Sequence, residues 1–243
     1  MSKEWFQNWF NSPFYHILYK QRDKEEAELF IDNLCTYLEP DKNATMLDIA
    51  CGKGRHSIYL NTKGYDVTGI DLAYNSIRFA KQFENDKLHF FVHDMRRLFY
   101  INYFDFAFNL FTSFGYFETE KEHVNALKAF SKALKSDGKL ILDYMNSQKI
   151  INNLVEEESK TIENINFHIT RSVKNEKIVK TINFTHDDKN YAFKEEVSDF
   201  KLADFERLFS LAGLKIEKLF GDYNLNDFNP DNSDRLIFVC NKI

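Results

Sequence analysis

The stretch MLDIACGKGR, residues 46–55, decides the fold. A short apolar segment ends here, the chain turns through small residues and glycines, and a helical pattern begins at Gly54. Gly52 and Gly54 allow backbone N–H groups to come close to a ligand, and the first turn of the helix adds positive potential. The pattern predicts a strand, a tight turn and a helix, with a ligand at the carboxyl end of the strand.

Strand and helix patterns alternate along the chain that follows. Because each apolar strand precedes a helix, the alternation predicts βαβ units and a parallel sheet covered on both faces. A helix over 202–211 and strands over 214–220 and 235–241 close the chain. We expect further strands at 44–50, 65–70, 88–93, 103–110 and 139–145, and helices at 54–62, 74–84 and 120–134.

Between the α/β segments lies a stretch with a different rhythm. Strand patterns at 165–173, 178–186 and 191–197 are joined by short polar turns at 174–176 and 187–190. Such a succession predicts an antiparallel β-meander. We therefore expect an inserted antiparallel β subdomain over 156–198, within one α/β domain formed by 40–155 and 199–243.

Composition narrows the class of protein. The 243-residue chain has 32 Lys and Arg against 37 Asp and Glu, and this acidic balance without basic runs argues against a nucleic-acid partner. No apolar stretch approaches the ~20 residues that span a bilayer, and the first ten residues lack the apolar core of a signal peptide. The three cysteines, Cys35, Cys51 and Cys240, are far apart, which favours a reducing cytoplasm and predicts no metal site.

Acidic residues follow the first three strands of the predicted sheet, as Asp48, Asp71 and Asp94. An acid at the end of the second strand can accept hydrogen bonds from both hydroxyls of a ribose. A nicotinamide dinucleotide is disfavoured, because Ser57 stands where a third glycine is needed and Asp48 would repel a pyrophosphate. The alternative to a ligand site is a tight strand–helix turn that these acids merely cap.

Four motifs together resemble those of class I S-adenosylmethionine-dependent methyltransferases. They are LDIACGKGRHS, GIDL, HDM and FDFAFNLFTSFGYF, and the resemblance covers about residues 44–145. It implies an α/β fold with a Rossmann-like seven-stranded sheet in the order 3-2-1-4-5-7-6, whose seventh strand is antiparallel. Residues 40–155 and 199–243 would then be the cofactor-binding domain.

The resemblance also implies roles for individual residues toward S-adenosylmethionine. The methionine part would face Asp48 and the backbone of Ala50, Cys51 and Gly52, where Ala50 replaces the family's usual glycine. The ribose hydroxyls would bind Asp71. The adenine would contact Leu72, Asp94 and Met95, and the sulfonium side would contact Asn109 and Leu110.

The amino terminus is rich in aromatic residues at helical spacing, with a break before Pro13. Related small-molecule methyltransferases use an N-terminal helix as a lid, which implies a helical lid over residues 1–39. Tyr15, Tyr19 and Arg22 are the candidates to cover the cofactor, since aromatic rings suit a cationic sulfur. The alternative is that these rings only pack on the sheet.

The meander supplies the candidate substrate residues. Strand alternation places Arg171, Lys180 and Glu195 on one otherwise apolar face, with Glu195 diagonal to Lys180. Buried charges must be paired or used, so this face indicates a pocket for an anionic or zwitterionic substrate. A salt-bridge cluster and a homodimer interface are the alternatives. Tyr116, after the fourth strand, is the one candidate for a catalytic group.

These observations predict a methyltransferase acting on a small-molecule acceptor, without a nucleic-acid or membrane partner. Two alternatives are a binding module of the same fold without transfer activity and a nicotinamide-dependent oxidoreductase. Methylation of a protein or an RNA stays open as well.

Overall fold

The computed structural model describes residues 5–20 and 24–243. Arg22, one of the candidates for the cofactor lid, lies outside these residues. The helices are α1 Trp5–Phe10, α2 Pro13–Leu18, α3 Lys24–Leu38, α4 Arg55–Thr62, α5 Tyr74–Ala80, α6 Glu120–Ala133, α7 Ser147–Asn152 and α8 Leu202–Leu211.

One sheet contains seven strands in the order β10-β11-β5-β4-β1-β2-β3. Strand β11 is antiparallel to both neighbours, and the other pairings are parallel. Numbered within this sheet, the order is 3-2-1-4-5-7-6, so the expected Rossmann-like fold is confirmed. The strands are β1 Thr45–Ile49, β2 Asp66–Asp71, β3 Leu88–Val92, β4 Phe104–Asn109, β5 Leu134–Met145, β10 Leu214–Phe220 and β11 Arg235–Lys242.

Helices cover both faces of this sheet. Buried side chains of α3, α4 and α5 pack on one face, and those of α6 and α8 pack on the other. Strand β1 is buried on both faces, which explains its continuous apolar pattern. By its contacts, α3 belongs to the helical layer beside α4, whereas α1 and α2 contact other parts of the molecule.

The turn after β1 is shaped around one aromatic ring. Gly54 has a φ of 81°, and a Cβ atom placed on it would lie 2.6 Å from Cζ of the fully buried Phe90 on β3. A Cβ atom on Gly69 of β2 would lie 2.6 Å from Cδ1 of the same ring. The glycines at both positions therefore leave the space that Phe90 fills.

The inserted segment forms a second, antiparallel sheet in the order β6-β7-β8-β9. Three strands were expected, and β6 is an addition at the edge that pairs with β7. Its sequence, EESKTI, is too highly charged to show an apolar alternation. The strands are β6 Glu157–Ile162, β7 Ile165–Lys174, β8 Lys177–His186 and β9 Lys189–Ser198.

The turns of this sheet are shorter than the sequence suggests. Each has two residues with positive φ, at 163–164, 175–176 and 187–188, as the right-handed twist of a two-residue hairpin requires. The shorter last turn shifts the register, so Glu195 lies directly opposite Lys180. The expected diagonal placement of these two residues was wrong.

Helices α1 and α2 lie against the apolar face of the inserted sheet. Trp9 and Leu18 are buried together with Phe167, Ile169 and Ile182 of the sheet. Ser12 caps α2 by accepting a hydrogen bond from Phe14 N at 3.2 Å. Among the described residues, no helix combines the length and the apolar character needed to cross a membrane.

Candidate active site

A cavity lies where three parts of the molecule meet. The carboxyl ends of β1 to β4 form its floor, α1 and α2 form one wall, and Glu195 of β9 closes another. A second cavity adjoins it around Asp48, Cys51 and Leu110 and shares several of its residues. The main cavity is lined by Phe6, Phe10, Tyr15, His16, Tyr19, Ala50, Gly52, Asp71, Leu72, Asp94, Met95, Phe111, Thr112, Ser113, Tyr116, Phe117 and Glu195, among others.

Asp48 lies at the base of the turn after β1 and is buried. Ser57, in the first turns of α4, donates a hydrogen bond to Asp48 Oδ2 at 2.6 Å. Burial raises the pKa of Asp48 to about 6, although the hydrogen bonds from Ser57 act in the opposite direction. Asp48 is therefore mostly ionised at neutral pH, with its charge held close to the second cavity.

Asp71 connects the first two strand ends. Its Oδ2 accepts a hydrogen bond from Gly52 N at 2.8 Å, and its Oδ1 accepts one from Ala73 N at 2.7 Å. Burial raises the pKa of Asp71, and these backbone N–H groups oppose the rise. A carboxylate oxygen accepts more than one hydrogen bond, so Asp71 keeps acceptor capacity toward the cavity that it lines.

Asp94 is held by a neighbouring guanidinium. Arg96 donates to both of its oxygens, with Nη2 to Oδ2 at 2.8 Å, and also reaches Glu122 of α6 at 2.8 Å. Burial alone would raise the pKa of Asp94, but the hydrogen bonds and charge of Arg96 keep it below its ordinary value. Asp94 is thus a fixed, ionised side chain in the cavity wall, next to Met95.

The other cofactor candidates lie at different depths. The backbone turn of Ala50 and Gly52 has positive φ at both residues and lines the main cavity, while Cys51 and Leu110 line the second. Asn109 is fully buried and does not line either cavity. Its amide donates to Ile49 O at 3.1 Å, and its Oδ1 accepts no hydrogen bond from the described residues.

Tyr15 and Tyr19, the described candidates of the expected lid, line the cavity, and Trp9 of α1 shares a partner with Tyr19. Trp9 Nε1 donates to Glu195 Oε1 at 2.6 Å, and Tyr19 OH donates to the same oxygen at 2.7 Å. Tyr15 packs edge-to-face on Trp9 with ring centroids 5.6 Å apart. A carboxylate of the inserted sheet therefore holds both helices of the lid.

The expected charged trio is divided. Lys180 lies 3.6 Å from Glu195 and donates to Tyr19 OH, so these residues form one group beside the cavity. Arg171 instead pairs with Glu158 of β6 and donates to Val155 O at 3.2 Å. Of the trio, Glu195 alone lines the main cavity. Because β6 was not expected, Glu158 was not foreseen as the partner of Arg171.

Several lining residues were not expected from the sequence, among them His16 and Phe117. His16 lies in the cavity wall with its Nε2 3.5 Å from Ser76 Oγ, and burial, aided by the charge of Lys53, lowers its pKa to about 4. A neutral imidazole is therefore present at neutral pH. Phe117 also lines the cavity, and the Arg96 guanidinium lies 5.0 Å from its ring centre. In the sequence, His16 lies in the aromatic helical pattern at the amino terminus, and Phe117 follows β4. These positions were the signals that could have pointed to the two residues.

Comparisons with known proteins agree with this geometry. The family model of the methyltransferase domain matches residues 40–208. The chain belongs to the S-adenosylmethionine-dependent methyltransferases. The YqeM protein of Bacillus subtilis (strain 168), a methyltransferase by its assigned name, is 27% identical over 217 residues, which cover 84% of this methyltransferase and 85% of YqeM.

Two further relatives extend the comparison. The dTDP-3-amino-3,4,6-trideoxy-alpha-D-glucopyranose N,N-dimethyltransferase of Streptomyces venezuelae is 24% identical, covering 87% of this methyltransferase and 92% of that protein. The crystal structure of an S-adenosylmethionine-dependent methyltransferase from Clostridium acetobutylicum ATCC 824 superposes with a TM-score of 0.80. It is 19% identical and covers 94% and 96% of the two chains, and it shows the shared fold.

The residues present fit a cationic cofactor. Asp71, Asp94 and Glu195 line the main cavity, and Asp48 lies in the adjoining one. Within residues 5–20 and 24–243, no Lys or Arg lines the main cavity. Carboxylates together with aromatic rings stabilise a sulfonium and an ammonium group, so the lining of this methyltransferase suits S-adenosylmethionine.

Ser57→Ala is expected to make cofactor affinity more sensitive to acid. Its hydroxyl favours ionised Asp48, so its removal raises the pKa of that carboxyl further. An ammonium group bound at this site would require Asp48 to be ionised. Cofactor affinity is therefore expected to fall as the pH drops through the pKa of Asp48 in the free protein. By calorimetry with S-adenosylhomocysteine, we expect Ser57→Ala to lower the affinity relative to the wild-type protein about three- to tenfold more near pH 6 than near pH 8.

Ser131→Ala is the matched control for this experiment. Ser131 is also a buried helical serine, but it lies on α6 and lines neither cavity. An equal loss at both pH values in Ser57→Ala would show that Ser57 acts on the shape of the turn rather than on the charge of Asp48.

Proposed function

We propose that this methyltransferase transfers a methyl group from S-adenosylmethionine to the nitrogen of a small-molecule amine. The observation that carries the proposal is Glu195, a carboxylate in a cavity wall made mainly of aromatic rings. An amine N–H donates to a carboxylate, whereas an anionic acceptor would be repelled by Glu195 and Asp71. This differs from the pocket for an anionic or zwitterionic substrate that the sequence suggested.

The names of the relatives support the same class of acceptor. The Streptomyces venezuelae relative is named as an N,N-dimethyltransferase of an amino sugar. A further relative, the glycine/sarcosine N-methyltransferase of Aphanothece halophytica, is 33% identical over 142 residues, or 56% of this chain. The main cavity also suits a small acceptor, since α1, α2 and β9 enclose it from the side opposite the large sheet.

The residue roles proposed toward the cofactor are those that the family resemblance implies, and the positions of these side chains support them. Asp48 and the backbone of Ala50, Cys51 and Gly52 would hold its methionine part. In the same way, Asp71 would accept from the ribose hydroxyls, and Leu72, Asp94 and Met95 would surround the adenine. The role of Asn109 toward the sulfonium stays a prediction, because its side chain lies behind the cavity lining.

When bound, the cofactor supplies a methyl group on a sulfonium that is already a strong donor. The chain's own part is to align the acceptor and exclude water, and positioning alone contributes up to ~7–11 kcal/mol of barrier reduction. Glu195 would orient the amine by accepting one of its N–H hydrogens. The aromatic rings of Phe10, Tyr15 and Tyr116 would shield the reacting atoms, and Tyr116 remains the candidate for a catalytic group.

Glu195→Gln is expected to reduce kcat/KM for amine methylation by about 10- to 100-fold. The reason is that the charged oxygen that would accept a hydrogen bond from the N–H of the amine substrate is lost. The variant keeps one oxygen that can accept from both Trp9 Nε1 and Tyr19 OH, which share a single oxygen of Glu195. The measurement is mass-spectrometric detection of methylated products with a panel of primary amines and the corresponding alcohols.

Glu196→Gln is the control, because Glu196 is the next residue of β9, does not line the cavity and pairs with Lys194. We expect wild-type activity in that variant. Methylation of alcohols but no amine would contradict the amine assignment. An equal loss of cofactor affinity and turnover in Glu195→Gln would assign Glu195 to the lid alone.

A further inference from the structure

The cavity wall after β4 has an unusual backbone. Phe111 has a φ of 58° and Thr112 has a φ of 56°. Left-handed conformations are rare for residues other than glycine, and they are least favourable for β-branched residues such as threonine. Two such residues in succession persist only where their surroundings hold them. Phe111 and Ser113 line both cavities, and Thr112 lines the main one.

Asp143 of β5 holds the backbone of this wall. Its Oδ2 accepts a hydrogen bond from Phe111 N at 2.7 Å, and its main-chain oxygen accepts one from Thr112 N at 3.0 Å. Asp143 is fully buried and is not among the residues that line either cavity. It therefore acts on the wall from behind.

Arg235 of β11 completes the support. Its Nε donates to Asp143 Oδ1 at 2.7 Å, and its Nη2 donates to Thr112 Oγ1 at 2.9 Å. The same hydroxyl oxygen accepts a hydrogen bond from Met145 N at 3.0 Å. The Thr112 side chain is thus fixed by two donors, while Asp143 holds the backbone N–H groups of Phe111 and of Thr112 itself.

A second group of contacts fixes the ring of Phe111. It stacks against His56 at 5.2 Å between ring centres and lies 5.2 Å from the ring of Tyr223. Tyr223 OH in turn donates to Asp143 Oδ2 at 3.3 Å. The wall, the buried ion pair and the loop between β10 and β11 are therefore one connected network.

A buried ion pair often stabilises the folded protein no more than apolar residues of the same size would. The presence of this pair therefore calls for a role other than stability. We infer that Asp143 and Arg235 are positioning residues that hold Phe111 and Thr112 in the left-handed conformation and so fix the cavity wall that faces the methionine part of the cofactor. This inference rests on the proposed cofactor site. Neither residue touches the cavity, and both act through the residues that do.

The test compares two ligands that differ in the methionine part. S-adenosylhomocysteine has the whole aminobutyrate arm, whereas 5′-methylthioadenosine has the adenosine and sulfur without that arm. Displacement of the wall weakens the first ligand and leaves the second unchanged. A general loss of structure weakens both.

Thr112→Val keeps the shape of the side chain but removes the oxygen that Arg235 and Met145 N require. We expect an affinity for S-adenosylhomocysteine about tenfold lower, with the affinity for 5′-methylthioadenosine within about twofold of wild type. Thr112→Ser restores the hydroxyl and should restore the affinity. A charge-neutral double variant, Asp143→Asn with Arg235→Met, should reproduce the Thr112→Val pattern without leaving a buried charge unpaired.

Lys139→Met is the matched control, because Lys139 also lies on β5, four residues before Asp143, and pairs with Glu217 of β10. It should leave both affinities unchanged. All titrations are made well below each variant's Tm. Equal weakening of both ligands, or no weakening of either, would overturn the inference. Failure of the wild-type protein to bind S-adenosylhomocysteine would instead overturn the proposed cofactor site.

Discussion

Asp71→Asn is expected to weaken S-adenosylhomocysteine binding by about 1.5–3 kcal/mol, which is roughly 10- to 150-fold in Kd. The charge of the carboxylate that we propose accepts from the ribose hydroxyls is lost, while an oxygen remains to accept from one of the backbone donors, Gly52 N or Ala73 N. Isothermal calorimetry gives the affinity, and thermal unfolding without ligand shows whether the fold is kept.

The control for this prediction lies on the same strand. Asp66 begins β2 and Asp71 ends it, so Asp66→Asn removes the same charge at the opposite edge of the sheet. It should leave binding unchanged. If Asp71→Asn lowers the melting temperature markedly and keeps its affinity for the ligand, Asp71 is a structural cap, which is the alternative that the sequence left open.

Gly54→Ala is expected to lower the free energy of unfolding by about 2–5 kcal/mol, or roughly 5–20 °C in Tm for a chain of this size. The new methyl group would meet the Phe90 ring at 2.6 Å, and the residue would also need a positive φ. Since Phe90 is fully buried in the core, its ring has little room to move aside.

Gly64→Ala separates the two contributions. Gly64 follows α4 with a φ of 96°, and a Cβ atom there would meet nothing within 4 Å. It should lose only the conformational part, about 1–2 kcal/mol. Equal losses in the two variants, measured by urea unfolding, would show that the Phe90 ring yields and that packing at Gly54 is not tight.

The parts of the site that follow from local pattern could be predicted. Asp48, Asp71 and Asp94 come after successive apolar strands, and the carboxyl ends of parallel strands meet at one edge of a sheet. Their meeting around a cavity therefore requires no knowledge of long-range contacts. The strand order, by contrast, came from the family resemblance of the motifs and not from the local pattern.

The residues that hold these acids could not be found in this way. Ser57 and Arg96 lie only nine and two residues from Asp48 and Asp94, but a hydrogen bond between side chains leaves no periodic signal in the sequence. Arg235, which holds Asp143, is 92 residues away from it and meets it only in the fold. Strand β6 was missed for a related reason, because an exposed edge strand has no need for apolar alternation. Because β6 was missed, Glu158 was not considered as a partner of Arg171, and Arg171 was instead predicted to contact a substrate.

The inserted sheet leaves and rejoins the large domain at one point. Ser147 Oγ, just before the insertion, donates to Asp199 O at 3.0 Å and to Phe200 O at 2.8 Å, just after it, and Tyr144 OH donates to Ser198 O. The insertion therefore begins and ends at one place on the large domain. It contains Glu195, whereas Asp48, Asp71 and Asp94 lie on the large sheet. A change within the insertion would therefore alter the proposed acceptor wall at Glu195 and leave the three acids at the strand ends in place.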